Sequence, residues 1–414
     1  MKNLRIFPLV LALCLCFAVL SPSAAALDAP ALSAQAVLLV DLDSGRILYE
    51  KNADQQRSPA SLTKVMTMLL VLEAVDRGEL GMEDLITAGS DCRQGMRDDS
   101  SSVGILPGEE MTLRDLLYCA AVASGNDACN VLAVATAGSI SAFVERMNQR
   151  AAELGCDSTH FVDPNGLSSE DLTCARDLYR ITREAISHPD FWALCDTPAY
   201  TVPETNFFPA RELKSSNALL SPDGIHGPGY YYEGAHGIKT GYTRAAGYCL
   251  ISTAERNGLR LLAIVMGCDG PYLSDTTVRR SFTDSAKLYD WVFDDFAPRE
   301  LLTPGAAVGY ADVALSGGAQ VPLLPADPLQ LLLPKDLDPS ELEYCIELRE
   351  QELIAPVRAG ELLGTLRILQ EGRELAATEL VAALDISFYL RVNSPAGGIA
   401  RVLGHIAGTE TAAG

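Results

Sequence analysis

Positive charge is scarce in this chain. Lys and Arg total 32 against 54 Asp and Glu, giving a formal charge of −22. Such a surface opposes phosphate backbones, so nucleic acid is excluded as a partner. Histidine is scarcer still: five residues, scattered, with neither an H-E-x-x-H nor a C-x-x-C pair anywhere. Spacing therefore gives no support to a metal site, and neither metal nor cofactor is expected. Of the 11 cysteines, Cys14 and Cys16 fall in the first 26 residues. The remaining odd set, mostly in apolar runs and without paired short spacing, does not read as a disulfide framework, and buried free thiols are expected. Long apolar runs are also missing, since the longest covers only residues 6–20. That is short of the ~20 residues of a spanning helix.

What the first 26 residues do contain is Lys2 and Arg5, that apolar run, and Ala24-Ala25-Ala26. This is the three-part pattern of a cleaved secretory signal, so an exported protein is expected. Leu13 and Leu15 precede Cys14 and Cys16 where a lipoprotein processing site needs a small residue, which argues against lipidation. At 414 residues the chain exceeds the size at which single cores stop growing, and two domains are expected.

Residues 36–50 read as a strand, a turn at Asp43-Ser44-Gly45 and a second strand. From about residue 61 to about 186 the pattern is helical, with stretches too apolar for a surface. Strands return at 237–243, 247–253 and 259–267, the last two joined through Asn257-Gly258, a hairpin dipeptide. Strands flanking a helical insert predict one antiparallel sheet in a mixed α/β domain. After Trp291 the composition changes to short strands at 307–315, 341–349, 353–357 and 362–369. The expected division is a signal at 1–26, a main domain at 27–298, a small β-rich domain at 299–390 and a tail at 391–414. Ile399, Val402, Leu403 and Ile406 fall at i, i+3, i+4 and i+7, which predicts a short amphipathic helix and a candidate peripheral membrane anchor.

Three short motifs carry chemistry. Ser61-Leu62-Thr63-Lys64 stands at the start of an apolar helix, with Pro59 just before it. Three residues apart, Ser61 and Lys64 share a helix face, so a base stands beside a hydroxyl nucleophile. With seven lysines and 28 serines, chance supplies about half an S-x-x-K match, so the motif needs companions. Ser124-Gly125-Asn126 interrupts two helical stretches and by itself is more often a cap. Lys239-Thr240-Gly241 lies on a strand, where Gly lets a ligand backbone approach and add as a further strand, and Lys239 can grip a carboxylate or act as a second cation. In this order, and on a helix start, an interhelical loop and a strand, the three form the set of penicillin-recognising enzymes.

The chain thus resembles the low-molecular-weight penicillin-binding proteins, the serine D-Ala-D-Ala carboxypeptidases of peptidase family S11. Supporting segments are Val40-Asp41-Leu42-Asp43-Ser44-Gly45, Phe161-Val162-Asp163-Pro164-Asn165-Gly166-Leu167, and Ala246-Gly247-Tyr248, with Ala355-Pro356-Val357 in the β-rich region. Two departures stand out: Glu170-Asp171-Leu172-Thr173-Cys174 replaces a His-containing segment, and Tyr242 follows Gly241 where some relatives have His.

The resemblance implies the penicillin-recognising serine hydrolase fold followed by a small all-β domain. It implies Ser61 as nucleophile, Lys64 as general base and Ser124 as proton relay. Asn126 would hold the peptide amide, Lys239, Thr240 and Gly241 the terminal carboxylate end, and the backbone N–H groups of Ser61 and Tyr242 the oxyanion. The substrate would be the peptidoglycan stem pentapeptide, the inhibitors β-lactams, and the location the outer face of a cytoplasmic membrane or the wall. A serine β-lactamase and a non-catalytic peptidoglycan-binding scaffold are the alternatives.

Overall fold

The computed structural model describes residues 29–268, 279–393 and 399–403. The signal expected over 1–26 lies outside them. The chain opens with the antiparallel pair β1 (Ala36–Asp41) and β2 (Ile47–Lys51), followed by helix α1 (Lys64–Asp76). A ribbon of β3 (Leu85–Thr87) and β4 (Glu110–Thr112) precedes helices α2 (Leu113–Ala121), α3 (Asn126–Ala137), α4 (Ile140–Glu153), α5 (Ala175–Ala185) and α6 (Pro189–Cys195). A second ribbon, β5 (Ala199–Val202) with β6 (Arg211–Lys214), leads to β7 (Ala235–Thr243), β8 (Gly247–Arg256), β9 (Leu259–Cys268) and helix α7 (Arg280–Asp295).

The main sheet is antiparallel in the order β2-β1-β9-β8-β7, so the first strands close beside the last as expected. Its central strands are continuous apolar runs because helices cover both faces. Leu38, Val40, Ile251, Leu262 and Ile264 face one core with α1. Their neighbours Val37, Leu39, Leu250, Leu261 and Ala263 face another with Leu288, Tyr289 and Val292 of α7. Helix α1 is buried on nearly every side, which is why its sequence shows no polar face.

The helical insert is less continuous than expected, because residues 77–112 form loops and the β3–β4 ribbon. Gly and Asp recur through that stretch and break the helical period. Caps set the helices on either side: the Thr112 hydroxyl accepts from Asp115 N at 3.1 Å for α2, and the Ser139 hydroxyl from Ala142 N at 3.1 Å for α4.

Beyond α7, β10 (Phe296–Leu302) pairs with β13 (Leu329–Pro334), and β11 (Gly309–Ala314), β12 (Gln320–Pro325), β14 (Glu343–Leu348), β15 (Leu353–Ile354), β16 (Leu362–Gln370) and β17 (Arg373–Ala382) form a six-stranded sheet. The expected all-β module is there, with β10, β12, β13 and β17 added to the strands read from sequence. Its apolar core includes Val321, Leu323, Leu366, Ile368 and Leu380. The tail expectation is corrected. β18 (Tyr389–Asn393) pairs with β19 (Ile399–Leu403) in an antiparallel hairpin, so residues 399–403 are extended rather than helical. The intervening Ser-Pro-Ala-Gly-Gly is turn-forming composition, and β-branched Ile399 and Val402 suit a strand. Residue 406 lies outside the described residues.

All nine described cysteines are free thiols, eight of them buried. Among the described residues no cluster of His, Cys, Asp or Glu could hold a metal ion.

Candidate active site

Ser61 lies in a 3₁₀ turn, Ala60–Thr63, that runs directly into α1. With three residues per turn, positions 61 and 64 eclipse, and Lys64 Nζ stands 2.8 Å from Ser61 Oγ. The other two donor directions of Lys64 are taken by Asn126 Oδ1 at 2.7 Å and the Asn165 carbonyl at 2.6 Å. Lys64 is fully buried. Burial pushes its pKa down, against a weaker upward pull from Cys129, Asp163, Asp127 and Asp171.

Three loops hold that lysine. Ser124 joins α2 to α3 in a left-handed conformation, φ +58°, which costs a non-glycine residue roughly 1–3 kcal/mol and marks a constrained site. The next helix starts at Asn126, whose side chain meets Lys64. Asp127 is wholly buried and accepts from the Ser102 hydroxyl at 2.5 Å, Gly104 N at 2.9 Å and Ile105 N at 3.0 Å. It thereby pins the 100–105 loop, and Ser101 O in turn accepts from Asn126 N at 2.9 Å.

The Asn165-Gly166 turn is wound around Asp163, which accepts from Gly166 N at 2.5 Å and Ser168 N at 2.7 Å. Gly166 has φ +80°, and a Cβ there would lie 1.9 Å from the Ala60 carbonyl oxygen, so only Gly lets this turn press against the serine turn. Asp171, in the segment that departs from the family pattern, closes the cluster. It accepts from Val162 N at 2.7 Å and from the Thr63 hydroxyl at 3.3 Å. Burial, with Asp163 nearby, raises its pKa to about 8.

The opposite wall is β7. A Cβ at Gly241 would lie 3.0 Å from Pro59 O and 3.2 Å from Ser61 N, so glycine permits the strand to lie close along the serine turn. The Thr240 hydroxyl faces the cleft and lies 2.6 Å from that of Ser216. Lys239 is buried beneath the cleft, near Lys64. It is 1% exposed, its ammonium donates to Thr240 O at 3.2 Å, and burial together with Lys64 pushes its pKa down to about 7.

Ser61, Ser124, Asn126, Thr240, Gly241 and Tyr242 all line one cleft of about 860 Å³, within the usual range for a ligand site. Six of the eight residues expected from sequence thus line one cleft, and the two lysines are buried beneath it, Lys64 bonded to Ser61 and Lys239 near enough for the Lys64 charge to lower its pKa. The sequence reading missed Asp127, Asn130, Asp171 and Ser216 as parts of the site. Asn130 accepts from Asn165 Nδ2 at 3.1 Å and donates to Cys92 O at 3.1 Å, tying two loops together. A signal for it was present, since a polar residue inside an apolar helix calls for a buried partner.

The family model described as D-alanyl-D-alanine carboxypeptidase matches residues 23–270, and the one for the C-terminal domain of penicillin-binding protein 5 matches 296–387. The chain belongs to the D-alanyl-D-alanine carboxypeptidase family. It is 31% identical over 354 residues to D-alanyl-D-alanine carboxypeptidase DacF of Bacillus subtilis, covering 85% of this chain and 86% of that one. It is 30% identical over 362 residues to DacA of Escherichia coli, covering 86% and 84%. Among solved structures, penicillin-binding protein 5 of Haemophilus influenzae superposes with a TM-score of 0.65 at 29% identity, over 86% of this chain and 98% of that chain. DacD of Francisella tularensis gives 0.69 at 26% identity, over 87% and 95%. The carboxypeptidase family and the mixed α/β fold with a C-terminal β domain expected from sequence are both borne out. The protein is a serine-type, penicillin-binding D-Ala-D-Ala carboxypeptidase.

Proposed function

We propose that Ser61 is the nucleophile that removes the terminal D-alanine of peptidoglycan stem pentapeptides, with Lys64 as its base. The observation carrying this reading is the set of three contacts to the Lys64 amine. Two of the partners, Asn126 Oδ1 and Asn165 O, can only accept, so a neutral amine spends its two N–H groups on them. Its lone pair then faces the Ser61 hydroxyl, 2.8 Å away. Burial and the second buried lysine, Lys239, favour that neutral form.

Ser61 Oγ gives its proton to Lys64 and bonds to the carbonyl carbon between the last two D-alanines. The oxyanion is held by the N–H groups of Ser61 and Tyr242. The C–N bond breaks as the leaving amine takes a proton from Lys64 relayed through Ser124, and D-alanine departs. Water, deprotonated by the same base, then cleaves the ester and frees Ser61. Asn126 holds the substrate amide. Thr240 takes the terminal carboxylate, joined by Ser216, and the buried Lys239 adds its field from behind.

Residues 1–26 direct export, which sets the enzyme at the outer face of the cytoplasmic membrane, and the apolar composition of 399–406, in place of the overturned helix, supports peripheral membrane contact by the tail beyond Ser387. A chain ending at Ser387 that partitions with membranes as fully as the mature protein would overturn that last assignment.

The decisive experiment incubates the mature protein with a fluorescent penicillin, records intact mass and maps the adduct. A stable adduct on Ser61 is expected. An adduct elsewhere, or none on folded protein, would favour the non-catalytic scaffold, and rapid hydrolysis of the drug would favour a β-lactamase.

A further inference from the structure

The cleft carries more positive charge than one terminal carboxylate requires. In a chain of net charge −22, Arg97, Lys214, Arg244 and Arg279 all line it, against a single acid, Asp99. Elsewhere several arginines are paired: Arg77, Arg150, Arg176 and Arg260 each meet a carboxylate. Arg279 lies over the Tyr248 ring at 5.2 Å, and that ring stacks on Tyr242 at 4.5 Å. Arg97, Lys214 and Arg244 are exposed, and none of the three has a carboxylate partner among the described residues.

Strand geometry separates the ends of the cleft. Lys214 precedes Ser216 by two residues and so belongs with Thr240 at the carboxylate end. A substrate whose carboxylate is at Thr240 and whose reacting carbonyl is beside Tyr242 runs antiparallel to β7. The rest of the substrate then extends past Thr243. Arg244 opens the turn that follows Thr243 and lines the cleft at this end, on the side of the residues that precede the D-alanyl-D-alanine unit. Arg97 approaches from the facing wall, on the loop whose Ser101 carbonyl is bonded to Asn126.

We propose that Arg244, assisted by Arg97, forms a second carboxylate subsite, and that the enzyme prefers stem peptides with a free acid on the residue before D-Ala-D-Ala to amidated or basic ones. This rests on the carboxypeptidase reading of the cleft. An exposed guanidinium forms a charge-assisted bond with a carboxylate, weakened by salt and strengthened when the cleft closes over a bound peptide.

The test compares D-alanine release from N-acetyl-L-Glu-D-Ala-D-Ala and N-acetyl-L-Gln-D-Ala-D-Ala, which differ in charge and hardly in shape. At low salt the kcat/KM of the intact mature enzyme should favour the Glu peptide by about three- to tenfold, with the gap narrowing as salt is added. Arg244→Gln should remove the gap and leave the Gln peptide's kcat/KM unchanged, which also shows that the variant is folded. Equal rates for the two peptides in the unmodified enzyme would overturn the subsite, as would a preference that survives Arg244→Gln. Failure to cleave either peptide would overturn the carboxypeptidase reading itself, and the subsite with it.

Discussion

The two parts of the molecule bury different things. In the main domain Lys64, Asn126, Asp127, Asn130, Asn165, Asp171 and Lys239 are all within 2% of complete burial. In the β-rich domain, among the described residues, no polar or charged side chain of 296–386 is buried, and the core is Leu, Val, Ile and Ala. A buried charge costs several kcal/mol unless it is paired and hydrogen-bonded, so a domain that needs only stability avoids it, as the second does. The first accepts that cost at several points where a partner is at hand, as Glu109 has Arg211 and Asp177 has Arg180, and gathers two lysines and two aspartates near one serine. The contrast assigns the chemistry to the first domain without reference to any motif.

The sharpest way to break this contrast is Lys64→Ala. If the buried ions are there for catalysis, D-alanine release should fall by about 10²–10⁴, and acylation by penicillin should fall with it. Steady-state kinetics within tenfold of the parent would show that the buried lysine is structural.

Gly166→Ala comes next, because it attacks the packing of the site and leaves its charges in place. The new Cβ would fall 1.9 Å from Ala60 O at a φ of +80°, so the Asn165-Gly166 turn has to move. A loss of about 2–4 kcal/mol in urea unfolding is expected, along with slower acylation as the Asn165 carbonyl shifts from Lys64. Unchanged stability would mean that the turn is not locked against the serine turn.

Asp171 tests the electrostatic side of the comparison. Its pKa, raised to about 8, exceeds the unfolded value of about 3.9, so between those limits the folded chain holds a proton that the unfolded chain has lost. Stability therefore falls as pH rises through that window, by at most about 1.4 kcal/mol per pH unit. The depressed Lys239 acts in the opposite sense, adding stability as pH rises above about 7. The groups facing Asp171 are Thr63 and Lys64 from the serine turn and Val162 and Asp163 from the adjoining loop. Measured from pH 5 to 7, Asp171→Asn should be flatter than the parent, with the gap widening upward. Parallel curves would show that Asp171 is ionised in the native protein.

Much of this was readable from sequence where local rules dominate. The β8–β9 hairpin announced itself through Asn257-Gly258, and Ser61 with Lys64 through a helix start. What stayed hidden was whatever depends on distant partners. Ser216 becomes part of the cleft only because β7 lays Thr240 beside it, and the burial of Lys239 near Lys64 is likewise a product of the fold, since the sequence left open whether it binds a carboxylate or serves as a second cation. The tail misled because Ile399, Val402 and Leu403 satisfy a helical period, while the pairing with residues 389–393 that makes them a strand is a tertiary fact.

The smallest effect belongs to the second domain, and it sharpens the contrast by being plain. Ile368 is fully buried in an apolar core between β-strands, with Leu366 and Leu380 as core neighbours. Ile368→Val removes one methylene, which should cost about 0.5–1.5 kcal/mol in the unfolding of that domain. No titrating group is buried nearby, so the loss should be the same at pH 5 and pH 7, where that of the Asp171 variant changes. Since none of the cleft residues belongs to this domain, kcat/KM should stay within about twofold of the parent. A larger fall in rate would mean that the β-rich domain shapes the cleft through its junction with α7, where Lys335 N donates to Asp295 O at 2.8 Å, and that the two parts are not energetically separate.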